Sequence, residues 1–128
     1  MILYVDTSAA FKLVVEEAGS SALSRFVAGA TDDDLVSAWL LHTELHCAAT
    51  RQAAVQHDLV EDVLARVELI DVSRFHFQRA AALPGGLRAA DALHLAVALD
   101  ARAGAILVYD AELAAAAEVA GLTVIAPR

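Results

Sequence analysis

Cysteine occurs once in the 128 residues, at Cys47, so the chain forms no internal disulfide and assembles no thiolate zinc cluster. A single small thiol of this kind is expected to be a buried apolar side chain. Lysine also occurs once, at Lys12, among nine Lys and Arg residues, against 17 Asp and Glu and a net charge of −8. That balance argues at face value against a polyanionic partner, because phosphate affinity comes largely from Lys and Arg. Long apolar runs are missing too. Although 59% of residues are hydrophobic, charge or histidine interrupts every stretch well before the ~20 residues of a membrane span, and no basic leader opens the chain. A cytoplasmic protein with no membrane association is expected. Repeats, low-complexity tracts and linkers are absent, so one domain spanning 1–128 with a real core is expected.

What is present is an alternation of short apolar strands with helical segments. Strands are predicted at Met1-Ile2-Leu3-Tyr4-Val5-Asp6, around Leu35-Val36-Ser37, at Glu68 to Val72, at Ala105 to Tyr109 and at Leu122 to Ile125. Helices are predicted from Thr7 or Ser8, either one the N-cap, to about Glu17, then over Ser20 to Gly29, Ala38 to Ala54 and Asp58 to Val67. Further helices follow over Ser73 to Leu83, Arg88 to Arg102 and Ala111 to Ala120. The third and fourth helices read as a hairpin turning near Gln56-His57, and Pro84-Gly85-Gly86 is the one strong break in the second half. Strands separated by helices imply right-handed crossovers. The expected fold class is three-layer α/β/α with a central, mostly parallel sheet.

Four carboxylates stand out against this pattern. Asp6 and Asp110 follow the first and fourth strands, where an α/β protein gathers ligands, although each could simply cap the next helix. On a helical wheel Glu44 lies within about 60° of Leu40, Leu41, Cys47 and Ala48, with Arg51 further along the stripe, so it should point inward. Asp91 sits among Leu87, Leu95 and Ala98, flanked by Arg88 and His94. A carboxylate in an apolar stripe needs an arginine partner or a metal. For all four together a cation is the more economical account, since close like charges repel at roughly 4 kcal/mol per pair at 4 Å with an effective dielectric of about 20. Oxygen-only donors favour Mg²⁺ or Mn²⁺, and such an ion suits hydrolysis of a phosphodiester. His42 and His46 fall about 160° from Glu44, so the three cannot share one ion. That i, i+4 pair could hold zinc but has no third ligand in view, and solvated histidines are expected. Lys12, Arg51, Arg88 and Arg79 could form a local basic rim that net charge conceals.

The segments Val5-Asp6-Thr7-Ser8-Ala9, a lone Glu44 in a helix, Leu87-Arg88-Ala89-Ala90-Asp91-Ala92-Leu93-His94-Leu95-Ala96 and Tyr109-Asp110-Ala111-Glu112-Leu113 together resemble the PIN-domain ribonucleases. In length and layout the chain is similar to the VapC toxins of bacterial VapBC toxin–antitoxin pairs. The resemblance implies that Asp6 and Asp91 are the principal Mg²⁺ ligands, that Glu44 and Asp110 complete an acidic pocket, and that Thr7 or Ser8 positions water or phosphate. It implies endonucleolytic cleavage of RNA, often transfer RNA, with arrest of translation and growth, a VapB-type antitoxin lying across the active-site groove, and a homodimer. One departure is Val108, where the family often has Thr two residues before the fourth acid. The alternatives are a PIN-like binding module without catalysis and a receiver-like phosphoacceptor domain. The second needs a lysine near the late strands, and Lys12 is not there.

Overall fold

The computed structural model describes every residue from Met1 to Arg128. Five strands, β1 (Ile2–Val5), β2 (Asp34–Ala38), β3 (Glu68–Ile70), β4 (Ala105–Leu107) and β5 (Thr123–Ile125), form one sheet in the order β3-β2-β1-β4-β5. Every pairing is parallel, with Leu3 opposite Leu35 on one side and opposite Ala105 on the other. Parallel neighbours require crossovers, and seven helices supply them: α1 (Thr7–Val14), α2 (Ser20–Gly29), α3 (Leu40–Arg51), α4 (His57–Leu64), α5 (Arg74–Ala81), α6 (Ala89–Asp100) and α7 (Ala111–Val119).

Both faces of the sheet are covered, so the strands are apolar on both sides. On one face Val5 and Leu107 pack with Ala9, Leu23, Leu41, Leu45, Val60 and Val63 from α1 to α4. On the other, Tyr4, Val36, Ile106 and Val108 pack with Leu95, Val97, Leu113 and Ala117 from α6 and α7. These are the three expected layers.

Boundaries move where local hydrogen bonding overrides pattern. Of the three cap candidates Asp6, Thr7 and Ser8, it is Asp6 that caps α1, its carboxylate accepting the Ser8 amide at 3.0 Å. That helix stops at Val14 instead of Glu17, because Val15 turns extended. Strand β4 ends at Leu107 rather than Tyr109, so Asp110 stands beyond a short exit loop. Gly85 and Gly86 both take positive φ in the α5–α6 connection, which is why the break falls there. Helix α3 is turned further than its wheel suggests. Its core face is Leu41, Leu45, Ala48 and Ala49, which leaves Glu44 half-buried at the margin of that face with its carboxylate turned in toward buried His94. Cys47, expected in the core, is exposed for the same reason.

Strand order reverses direction on either side of β1, so the carboxyl ends of β1 and β4 open side by side into a crevice. The Asp6 amide donates to the Leu107 carbonyl at 3.0 Å, carrying the β1–β4 pairing one residue past the sheet and bringing the two acid-bearing exits together.

Candidate active site

Asp6 is the best-buried acid, at 2% exposure. Its Oδ2 accepts the Ser8 amide at 3.0 Å and the Ser8 hydroxyl at 2.6 Å, while Oδ1 is buried with no hydrogen-bond partner at all. An acceptor left bare in the interior costs about 1–3 kcal/mol, more when charged. Ser8 does a second task. Its hydroxyl oxygen accepts the Tyr109 amide at 2.9 Å and, weakly, the Asp110 amide at 3.4 Å, which fastens the β4 exit loop against the β1 exit.

Glu44 reaches the site from α3 through a relay of buried groups. The Ala38 amide donates to the Tyr4 hydroxyl at 3.2 Å, and that hydroxyl lies 2.7 Å from His94 Nδ1. Burial raises the Tyr4 pKa, so the phenol stays protonated and donates to Nδ1. The proton of His94 therefore sits on Nε2, which faces Glu44 Oε1 at 2.7 Å and the Thr7 hydroxyl at 3.1 Å. Thr7 itself donates to Glu44 Oε1 at 2.8 Å. Burial alone would raise the Glu44 pKa, but the hydrogen bonds from His94 and Thr7 hold it below its usual value. Glu44 is thus a fixed, ionised carboxylate.

Asp91, in the first turn of α6, behaves oppositely. Burial pushes its pKa up first, the charges of Asp6 and Asp110 push it further, and Glu44 adds a smaller upward push. Asp6, Asp110 and Glu44 thus all lie within electrostatic reach of Asp91. Asp110 is the most exposed and also caps α7, accepting the Leu113 amide at 2.9 Å. No arginine forms an ion pair with any of the four, so pairing with Arg51, Arg88 or Arg102 does not account for them.

A cleft of about 650 Å³ is lined by Thr7, Ser8, Glu44 and Asp110 together with Glu17, Lys12 and Arg51, while Asp6 and Asp91 lie outside its lining. Phe11, Tyr109 and Cys47 add apolar wall. Lys12 is held by Glu17 at 3.0 Å and the Ala18 carbonyl at 2.7 Å, with its ammonium 4.7 Å from the Tyr109 ring centre. Arg88 precedes α6 outside this cleft, and Arg79 lies against Phe75 on α5. Val108 is buried in the core, where a hydroxyl would have displaced apolar packing.

Two groups escaped the sequence reading. His94 was legible only as a flanking residue, yet it joins Tyr4 to Glu44, and its position three residues after Asp91 on the helix was the available signal. Tyr4 looked like ordinary strand filling. His42 and His46 stay apart from Glu44, as the wheel requires, but His46 is engaged rather than solvated, with His57 and Glu61 beside it.

The PIN domain family matches residues 3–125 of the chain. Ribonuclease VapC35 of Mycobacterium tuberculosis is 34% identical over 131 residues, an alignment covering 98% of this chain and 97% of the relative. Among solved structures, Mycobacterium tuberculosis VapC20, described as a sarcin-ricin loop cleaving toxin, superposes with a TM-score of 0.77 at 17% identity, covering 98% of this chain and 99% of that one. A toxin–antitoxin complex from Klebsiella pneumoniae gives 0.71 at 19% identity and 98% coverage of both chains. An all-parallel five-stranded sheet, acids at the exits of β1 and β4 and this likeness along nearly the whole length agree: the chain belongs to the PIN-domain family, in kinship with the VapC ribonucleases.

Proposed function

We propose that this chain is a single PIN domain acting as the toxin of a type II toxin–antitoxin pair, an endoribonuclease that hydrolyses RNA phosphodiester bonds with Mg²⁺ or Mn²⁺ and so arrests translation. The observation that carries the reading is the bare, buried Oδ1 of Asp6 among three further acids that no arginine neutralises. A buried acceptor with no donor, in a set made of oxygen atoms only, fits a hard divalent cation. Asp6 and Asp91 would hold the ion, with Glu44 and Asp110 completing its acidic surroundings. When bound, it supplies positive charge to the scissile phosphate and makes a nucleophilic water easier to deprotonate.

The protein's own groups do the positioning. Ser8 fixes one oxygen of Asp6 and leaves the other free. The Tyr4–His94–Thr7 relay keeps Glu44 ionised and oriented beside the cleft, in place to accept a proton from an attacking water. Asp91, readier to take up a proton than an ordinary aspartate, would lose that tendency beside a bound cation. Thr7 and Ser8 act on water or phosphate through the acids they hold. Lys12 and Arg51, with Arg88 further out, would meet the RNA backbone in the cleft, so a local basic wall offsets the net charge of −8.

The partner reading rests on the Klebsiella relative being a toxin–antitoxin complex. A VapB-type antitoxin segment would lie over the cleft, where Phe11 and Tyr109 offer apolar contact and Lys12 and Arg51 offer charge. Trp39 and Phe77, exposed at 47% and 56%, give apolar surface for a homodimer. No helix is long and apolar enough to cross a membrane, and a cytoplasmic location is proposed.

The test is cleavage of RNA, transfer RNA included, by the antitoxin-free protein with Mg²⁺ or Mn²⁺. Asp6→Asn and Asp91→Asn should abolish cleavage and growth arrest while circular dichroism stays native. Full arrest by either variant would overturn the nuclease assignment. A protein that binds its partner yet cleaves nothing under either metal would be the binding-only module.

A further inference from the structure

Away from the acid cleft, on the opposite flank of α3, a second group of potential ligands converges. His42 and His46 stand i, i+4 on one helical face, and Glu61 approaches from α4. One ligand atom from each lies within 4.8 Å of the others. His46 Nε2 is 2.6 Å from Glu61 Oε1, and His42 Nε2 is 3.9 Å from that same oxygen, too far for a hydrogen bond yet directed at the same point.

We propose that His42, His46 and Glu61 bind a borderline transition-metal ion of the Zn²⁺ class, clipping α3 to α4 at a site separate from the nuclease centre. Two imidazoles and a carboxylate select Zn²⁺ over Mg²⁺, whereas the acid cleft, with oxygen donors only, selects the reverse. Ligand atoms about 2.1 Å from a tetrahedral ion sit about 3.4 Å apart, so rotating three accessible side chains closes the present spread. Exposures of 40%, 22% and 60% for His42, His46 and Glu61 leave room for that rotation and for a water as fourth ligand. A fourth residue completes the arrangement. His57 Nδ1 lies 2.7 Å from His46 Nδ1, with the two rings only 14° out of parallel. With Nε2 on the ion, His46 carries its proton on Nδ1 and donates it to His57, which is how proteins orient a metal-bound imidazole. Glu44 lies between the two histidines in sequence but on another face, bonded to Thr7 and His94. The clip therefore braces the helix that carries Glu44 without drawing on Glu44 itself.

The experiment is calorimetric titration of Zn²⁺ into the antitoxin-free protein in excess Mg²⁺, paired with melting curves and with the visible spectrum of a Co²⁺-loaded sample. Wild type should take one equivalent of Zn²⁺, melt higher, and give the absorption of a four- or five-coordinate Co²⁺ site. Asp91→Asn should bind equally well. His46→Ala and Glu61→Gln should each lose at least tenfold in affinity together with the Co²⁺ bands, and His57→Ala about 10–100-fold in affinity. RNA cleavage in Mg²⁺ alone should survive all three. These positions are accessible, and Glu61→Gln stands as the arbiter if His46→Ala misfolds. The proposal fails if wild type takes up no stoichiometric Zn²⁺, if binding is unchanged in Glu61→Gln, or if Asp91→Asn removes it, which would place the ion in the acid cleft.

Discussion

Replacing Tyr4 by Phe isolates the relay that orients Glu44. The ring is fully buried and Phe fills the same space, so no cavity forms and only the hydroxyl is lost. Two buried groups then lose their partner, the Ala38 amide that donates to the hydroxyl at 3.2 Å and His94 Nδ1 that receives from it at 2.7 Å. Each orphan costs about 1–3 kcal/mol, so the variant should lose roughly 2–6 kcal/mol. For a chain of this size that corresponds to a fall in Tm of roughly 8–24 °C, at about 4 °C per kcal/mol. The functional effect follows from the tautomer. Without the Tyr4 donor, His94 is free to move its proton to Nδ1, and Nε2 then turns a lone pair toward Glu44 instead of a proton. By analogy with the loss of an outer-shell partner, cleavage should fall about 10–100-fold while RNA affinity holds. Urea denaturation and cleavage of a labelled RNA oligonucleotide measure both. A loss under about 0.5 kcal/mol would refute the claim that both partners are orphaned. A clear loss of stability with unaltered cleavage would reduce the relay to scaffolding.

Asp91→Asn should raise the Tm of the metal-free protein, because it removes a charge that burial, Asp6 and Asp110 all oppose; screening at this half-exposed site limits the gain to about 1 kcal/mol. Added Mg²⁺ or Mn²⁺ should then stabilise wild type more than the variant, and an equal response would separate Asp91 from the ion. Glu44 has a folded pKa below its ordinary 4.5, so its ionised form contributes stability above that value and the contribution is lost as pH falls through the lower folded pKa. Glu44→Gln should therefore flatten the acid side of the stability profile of the metal-free protein below pH 4.5, and an unchanged slope there would contradict the His94 and Thr7 contacts. Lys12→Ala and Arg51→Ala should each weaken RNA binding and reduce the salt slope by about one unit, measured by fluorescence anisotropy across ionic strength. Unaltered slopes would move the RNA path away from this wall.

The layer structure was legible because it depends on periodicity. Short apolar strands alternating with amphipathic helices leave a parallel, doubly covered sheet as the economical solution, and all twelve elements fall near their expected positions. Asp6 and Asp110 were legible as residues at strand exits, and Glu44 and Asp91 as acids in apolar stripes. Exact helix rotation was less accessible. An idealised wheel centres on whichever residue is chosen, whereas the core of α3 is set by which side chains meet α1 and α4, so Cys47 turned further outward than expected and Glu44 came to the margin of the core face. His94 and Tyr4 were missed because a histidine or tyrosine among apolar neighbours gives no clue to its partner, here 90 residues away in the chain.

The sequence by itself determined the alternation of strands and helices and the residue types available for chemistry, because periodicity and side-chain identity are local properties. Tertiary structure decided which of those residues meet. The reversal of strand order beside β1 juxtaposes the β1 and β4 exits, a buried hydroxyl assigns the proton of His94, and the packing of α4 on α3 supplies Glu61 to a histidine pair that had no third ligand. Contacts between distant segments carry no periodic signature. They arise only when burial of the two apolar cores fixes how the layers lie on one another.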